Sequence, residues 1–163
     1  IAGLFAGGTL CAEAQVIARD AKIACASNVA IPGVADAAPG FVGHTFIDLG
    51  DDEYTAGRPH PMIEPAVRDK PMEDALANPD VSVVLIDCVL GFGGHGDPAL
   101  HIAKFLETHP RGAKLVIASV TGTEGDPQVL SRQCATLDRA GVLVAPSNAD
   151  AVRLALGYVG AKL

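Results

Sequence analysis

The segment Val81–Asp87 constrains this chain more than any other, because it is a short, near-continuous apolar run bounded by Asn78-Pro79 on one side and glycines on the other. A run of that length, rich in β-branched residues, suits a strand buried on both faces, which is the position of a parallel strand covered by helices. The remaining segments fall into step with it. Ala2–Ala6 reads as a strand, Thr9–Ala21 as a helix, Ile23–Ala26 as a second strand and Asn28–Gly43 as loop. Thr45–Leu49 reads as a strand, Gly50–Pro65 as a polar stretch and Val67–Ala77 as a helix stopped by Asn78-Pro79. Pro98–Glu107, Pro127–Ala140 and Ala149–Val159 read as helices, and Leu115–Ser119 and Val142–Val144 as strands. Strands separated by helical crossovers predict an α/β, doubly wound parallel sheet of the flavodoxin-like kind. Gly96-Asp97-Pro98 and Gly125-Asp126-Pro127 each join a strand to a helix, with Asp placed to cap and Pro at the first helical position.

Composition agrees with one domain. The chain has 163 residues, 49% of them hydrophobic and only 4% aromatic, so its core is built from Ala, Val, Leu and Ile. A net charge of −7 with dispersed Lys and Arg argues against nucleic acid and anionic membranes as partners. Cys11, Cys25, Cys88 and Cys134 stand far apart in or beside apolar runs, which suits buried thiols in a reducing cytoplasm rather than disulfides or zinc. No apolar run reaches the roughly 20 residues of a membrane span. The chain opens on Ile1 directly into a strand-like run, as a fragment of a longer protein would.

In sheets of this kind ligands sit beyond the carboxyl ends of the strands, where strand order reverses. Gly7-Gly8-Thr9 starts the first helix with no acid before Glu13, so its free N–H groups suit a phosphate. A tight strand-to-helix turn explains the same residues. Gly91-Phe92-Gly93-Gly94-His95-Gly96 has the spacing of a dinucleotide fingerprint, but the next strand ends in Ile117-Ala118-Ser119 without the acid a nicotinamide cofactor needs. An anion nest made from the N–H groups of this loop is the remaining functional reading, with the His95 imidazole placed to touch a bound anion, and Asp97 competes with it. His101 and His109 lie on or just after a helix and read as surface residues, and His44 begins a strand with no partner evident. His60 is held rigidly between Pro59 and Pro61 and, with Arg58, lies in the long loop Asp48–Pro65. That loop reads either as an Mg²⁺ or substrate-amide site, with Arg58 holding a carboxylate or phosphate, or as a solvated acidic loop; for metal the solvated loop is the expectation, so no metal ligand is assigned in it.

Gly3–Cys11, Ile47–Thr55, Gly57–Ile63, Asp87–Gly93 and Gly122–Gln128 together resemble the C-terminal domain of the FdrA family, over nearly the whole chain. More distantly, Gly8-Thr9-Leu10 with Glu13-Ala14 is similar to a succinyl-CoA synthetase α-subunit, and Phe92-Gly93-Gly94 to the β-subunit. The resemblance implies a single succinyl-CoA synthetase-like CoA-ligase domain spanning 1–163. It implies phosphate at Gly7, Gly8, Thr9, Gly93 and Gly94, beside the catalytic candidates His60, Arg58 and His95 that the residues themselves offer. CoA and nucleotide would belong to absent domains, leaving no cofactor here. The phosphorylated histidine of that enzyme has no counterpart, because Thr121–Asp126 contains none. The implied function is that of an acyl-CoA synthetase-like enzyme using an acyl- or carbamoyl-phosphate, with an oxamate carbamoyltransferase component or a non-catalytic assembly domain as alternatives. The implied partners are a small phosphorylated substrate and a second CoA-ligase-type domain or a second copy.

Overall fold

Val83–Val89 forms the inner strand that the apolar run predicts, two residues further along than its sequence edges suggest. Leu85 and Ile86 are both fully buried, on opposite faces of the sheet in separate apolar clusters. Each such side chain contributes about 1.5–3 kcal/mol of burial. The computed structural model describes residues 1–161. In chain order it contains β1 (Ala2–Phe5), α1 (Gly8–Asp20), β2 (Ala26–Ser27), β3 (Ala35–Asp36), β4 (Thr45–Asp48), α2 (Asp52–Thr55), a 3-10 turn (Pro65–Arg68) and α3 (Asp69–Ala77). There follow β5 (Val83–Val89), α4 (Pro98–Thr108), β6 (Leu115–Thr121), α5 (Leu130–Arg139), β7 (Leu143–Ala145) and α6 (Asn148–Tyr158).

The seven strands form one sheet in the order β3-β2-β4-β1-β5-β6-β7. All pairings are parallel, with Leu4 opposite Ile47 on one side and Ile86 on the other. Buried residues of α1 and α6 pack with Leu85 on one face, and those of α3, α4 and α5 pack with Ile86 on the other. The sheet is therefore doubly wound, as the alternating pattern predicts. Strand order reverses between β1 and β5, and a crevice at the carboxyl edge is expected there.

Several local expectations change. The loop at 28–43 contains the edge strand β3, too short and polar to show a period. Gly96-Asp97-Pro98 starts α4 as predicted, with the Asp97 carboxylate accepting from Leu100 N–H at 3.2 Å. Gly125-Asp126-Pro127 does not start a helix. Asp126 turns back to accept from Thr123 N–H (2.6 Å) and Oγ1 (3.0 Å), Val129 takes φ +60°, and α5 begins only at Leu130. The same tripeptide thus caps a helix in one place and closes a turn in another, according to which donor its Asp meets first.

One buried ion pair lies at the strand-order reversal. Asp87 near the end of β5 is fully buried and pairs with Arg68 Nη2 at 2.9 Å, while Arg68 Nη1 also donates to the Asp87 carbonyl. The carboxylate accepts two further bonds, from Ala6 N–H (2.7 Å) and Gly7 N–H (2.8 Å). Removing one partner of such a pair strands the other charge. Arg68→Met is expected to cost about 3–5 kcal/mol in urea unfolding. A loss below about 1 kcal/mol would show that the backbone N–H groups alone satisfy Asp87.

Candidate functional site

At the carboxyl edge, β1 runs through Ala6 into α1 with Gly7 as N-cap. No side chain caps this helix, and its first turn contains no acid. The Gly7 N–H is already bonded to Asp87, and the N–H groups of Leu10 and Cys11 are bonded to the Gly7 carbonyl. Gly8 and Thr9 are exposed, and their N–H groups are the ones left to face solvent.

Two side chains crowd this start. Strand alternation on β4 turns Ile47 toward α3 and Asp48 toward α1. A methyl group added at Gly8 would lie 2.6 Å from Asp48 Oδ2, so only glycine lets the carboxylate approach this closely. Asp48 Oδ1 accepts from Gly50 N–H at 2.8 Å, and its main chain is clamped by both amide atoms of Asn28. Burial raises the Asp48 pKa above the ordinary carboxylate value. The Gly50 bond and nearby His60 oppose the shift, while Asp51 and Asp87 reinforce it.

His60 joins the same group. Its Nδ1 accepts from Met62 N–H at 3.2 Å, which leaves Nε2 as the protonated nitrogen of the neutral ring. Nε2 lies over Gly50, where an added methyl would meet it at 2.5 Å and Asp48 Oδ1 at 3.1 Å. The ring is half-buried, and the two flanking prolines present it at the mouth of the crevice.

Arg58 does not join His60. It is exposed and lines a different cleft, on the Ile47 face of β4, together with Tyr54 and Phe41. The glycine turn after β5 borders the His60 loop, since His95 N–H donates to the Met62 carbonyl at 2.8 Å. Three of the six N–H groups of the 91–96 turn, those of Gly91, Gly94 and His95, are consumed within the fold. Gly91 N–H meets Gln128 Oε1 (3.1 Å), Gly94 N–H the Gly91 carbonyl (3.3 Å), and Asp97 N–H the His95 Nδ1 (3.1 Å). The N–H groups of Phe92, Gly93 and Gly96 are uncommitted among the described residues.

Gln128 and Gln133 were not singled out as site residues by the sequence. Buried Gln128 donates to the carbonyls of Gly91 (2.9 Å) and His95 (3.0 Å), holding both ends of the turn. Gln133 accepts from Ala99 N–H and donates to Asp97. The available signal for Gln133 was a large polar residue at a helix position facing the core, weak because most such residues are solvated, and Gln128, in the turn before α5, left no periodic signal. Burial pushes the thiols of Cys11 and Cys88 up to about 12, which makes both poor nucleophiles at neutral pH. Among the described residues no cluster of three or more His, Cys, Asp or Glu is placed to hold a metal, and no helix is long and apolar enough to cross a membrane.

Comparison with known proteins adds the following. Residues 4–157 match the family model described as CoA-ligase. A protein of Escherichia coli (strain K12) named uncharacterized protein YahF is 34% identical over 173 aligned positions, covering 98% of this chain and 32% of that protein. The chain thus spans about a third of the length of this relative.

The Asp48 environment has a pH signature. Folding raises its pKa, so the native state holds the proton more tightly than the unfolded chain does. Its contribution to stability therefore falls as pH rises from the ordinary 3.8 through the raised folded value. Asp48→Asn keeps an acceptor for Gly50 and removes the charge. In urea unfolding from acid to neutral pH, wild-type stability minus that of the variant should decline with pH. A flat or rising difference would contradict the burial of the charge.

Proposed function

The chain belongs to the CoA-ligase family, and from that premise we propose that it is the phosphate-holding domain of a longer, FdrA-type, acyl-CoA synthetase-like enzyme acting on an acyl- or carbamoyl-phosphate. The observation that carries this reading is the start of α1. It is an uncapped helix terminus with no acid in its first turn, exposed at the point where strand order reverses. The N–H groups of Gly8 and Thr9 and the positive end of the helix dipole would bind phosphate oxygens. His60 Nε2–H, beside Asp48, supplies a donor for a phosphate or carbonyl oxygen at the same edge. Asp48, whose carboxylate stands over Gly8, opposes an anion when ionised. Carbamoyl phosphate keeps the cradle and needs no phosphorylated histidine, which suits the histidine-free turn after β6. An oxamate carbamoyltransferase component is the form of this reading that the FdrA resemblance favours. The glycine turn after β5 favours a second reading, an assembly domain, because its tip exposes 88% of Phe92.

Titration with inorganic phosphate and with carbamoyl phosphate, followed by amide NMR, tests the proposal. Saturable shifts centred on Gly8 and Thr9 are expected in the millimolar range or tighter. Absence of binding, or shifts confined to the 91–96 turn, would refute it. A second outcome concerns covalent chemistry. With labelled ATP and acyl substrates, the longer parent protein should carry no phosphohistidine within this domain. Label on His60 or His95 would overturn the carbamoyl-type reading in favour of a relocated phosphohistidine.

A further inference from the structure

The cleft that receives Arg58 is separate from the α1 crevice and has the makings of a ligand site. Its volume is about 490 Å³, within the range usual for small-molecule pockets. Thr45 and Ile47 of β4 form the floor, and Tyr54, Val67 and the 37–41 loop form walls. Those walls are fixed. Phe41 adopts φ +51°, an unfavourable backbone for a bulky residue, while its ring packs on the core, and Asn78 Nδ2 donates to the Gly40 carbonyl at 3.2 Å.

Four charged side chains reach this cleft, namely Glu53, Arg58, Lys70 and Asp74. Lys70 is neutralised by Asp74 (2.6 Å) and Glu73 (3.5 Å). Among the described residues, the Arg58 guanidinium and the Glu53 carboxylate have no side-chain partner and do not pair with each other. The opening therefore presents one uncommitted cation and one uncommitted anion beside an aromatic and aliphatic wall. Tyr54 lies near the anion, since its pKa is raised first by burial and then by Glu53 and Asp51.

We propose that this cleft binds a small amino-carboxylic zwitterion, with Arg58 pairing its carboxylate, Glu53 its ammonium, and Tyr54, Phe41 and Ile47 covering its apolar body. Arg is the side chain whose planar fork matches a carboxylate in two-point contact. A single-charge ligand would leave Glu53 or Arg58 facing it unmatched, so discrimination comes from both ends at once.

The test uses the 163-residue chain and three probes sharing one body: L-norleucine, hexanoate, which lacks the ammonium, and pentylamine, which lacks the carboxylate. Calorimetry should show norleucine binding at millimolar concentrations, hexanoate about tenfold weaker and pentylamine not measurable. Tyr54 ring resonances should move with norleucine. Arg58→Met should abolish binding and Glu53→Gln should reduce norleucine to the level of hexanoate. Both positions are exposed, and unchanged circular dichroism and melting will verify that the variants fold. The proposal is overturned by failure of norleucine to bind the folded chain, by equal affinity for norleucine and hexanoate, or by undiminished binding in Arg58→Met.

Discussion

The buried contact between Asp87 and Arg68 is the constraint around which the carboxyl edge is arranged. A carboxylate with no exposure, at the junction of β1 and β5, must be fully satisfied, and it takes its bonds from three residues on two segments. Arg68 arrives from the 3-10 turn before α3, while Ala6 and Gly7 arrive from the strand that feeds α1. One side chain therefore ties together the segment entering each of two helices and the strand between them. Because β1 and β5 flank the reversal of strand order, the same contact sets where α1 starts relative to the crevice. The N–H of Gly7 is committed to this internal anion, which shifts the part of α1 available to solvent one residue onward, to Gly8 and Thr9.

The second determinant is the alternation of β4. Because successive side chains point to opposite faces, Asp48 reaches the start of α1 while Ile47 floors the cleft beneath Tyr54. The loop that follows crosses the carboxyl edge and serves both faces. Arg58 goes with the cleft, and His60, fixed by neighbouring prolines and by the Met62 N–H, goes with Asp48. Two residues that are neighbours in sequence and of similar chemical promise thus belong to different places.

The glycine turn after β5 illustrates how a motif changes meaning in context. Its glycines and backbone N–H groups suit an anion nest. In the folded chain half of those N–H groups are drawn to Gln128, to the Met62 carbonyl and to the turn's own Gly91 carbonyl. Gln128 can do this because α5 starts late, after Asp126 has closed a turn on Thr123. What makes the 91–96 segment rigid is a side chain 37 residues away in the chain.

Much of the architecture was legible in the residues themselves. Apolar runs such as Val83–Val89, the Asp97-Pro98 helix start and the stop at Asn78-Pro79 act through local sterics and burial, and those forces leave a pattern in a linear sequence. The two-residue strands β2 and β3 left little, because their pairing comes from neighbouring strands rather than from any period of their own. The candidate site divides in the same way. Gly7-Gly8-Thr9 was visible as an uncapped helix start, since capping is a matter of adjacent residues. That Asp87 occupies Gly7, that Asp48 stands over Gly8, that His60 and Arg58 part company and that Gln128 holds a distant turn were decided only by the tertiary structure. Each is a contact between segments far apart in the chain, and a buried polar group takes its partner from whatever the packing of the sheet brings within reach.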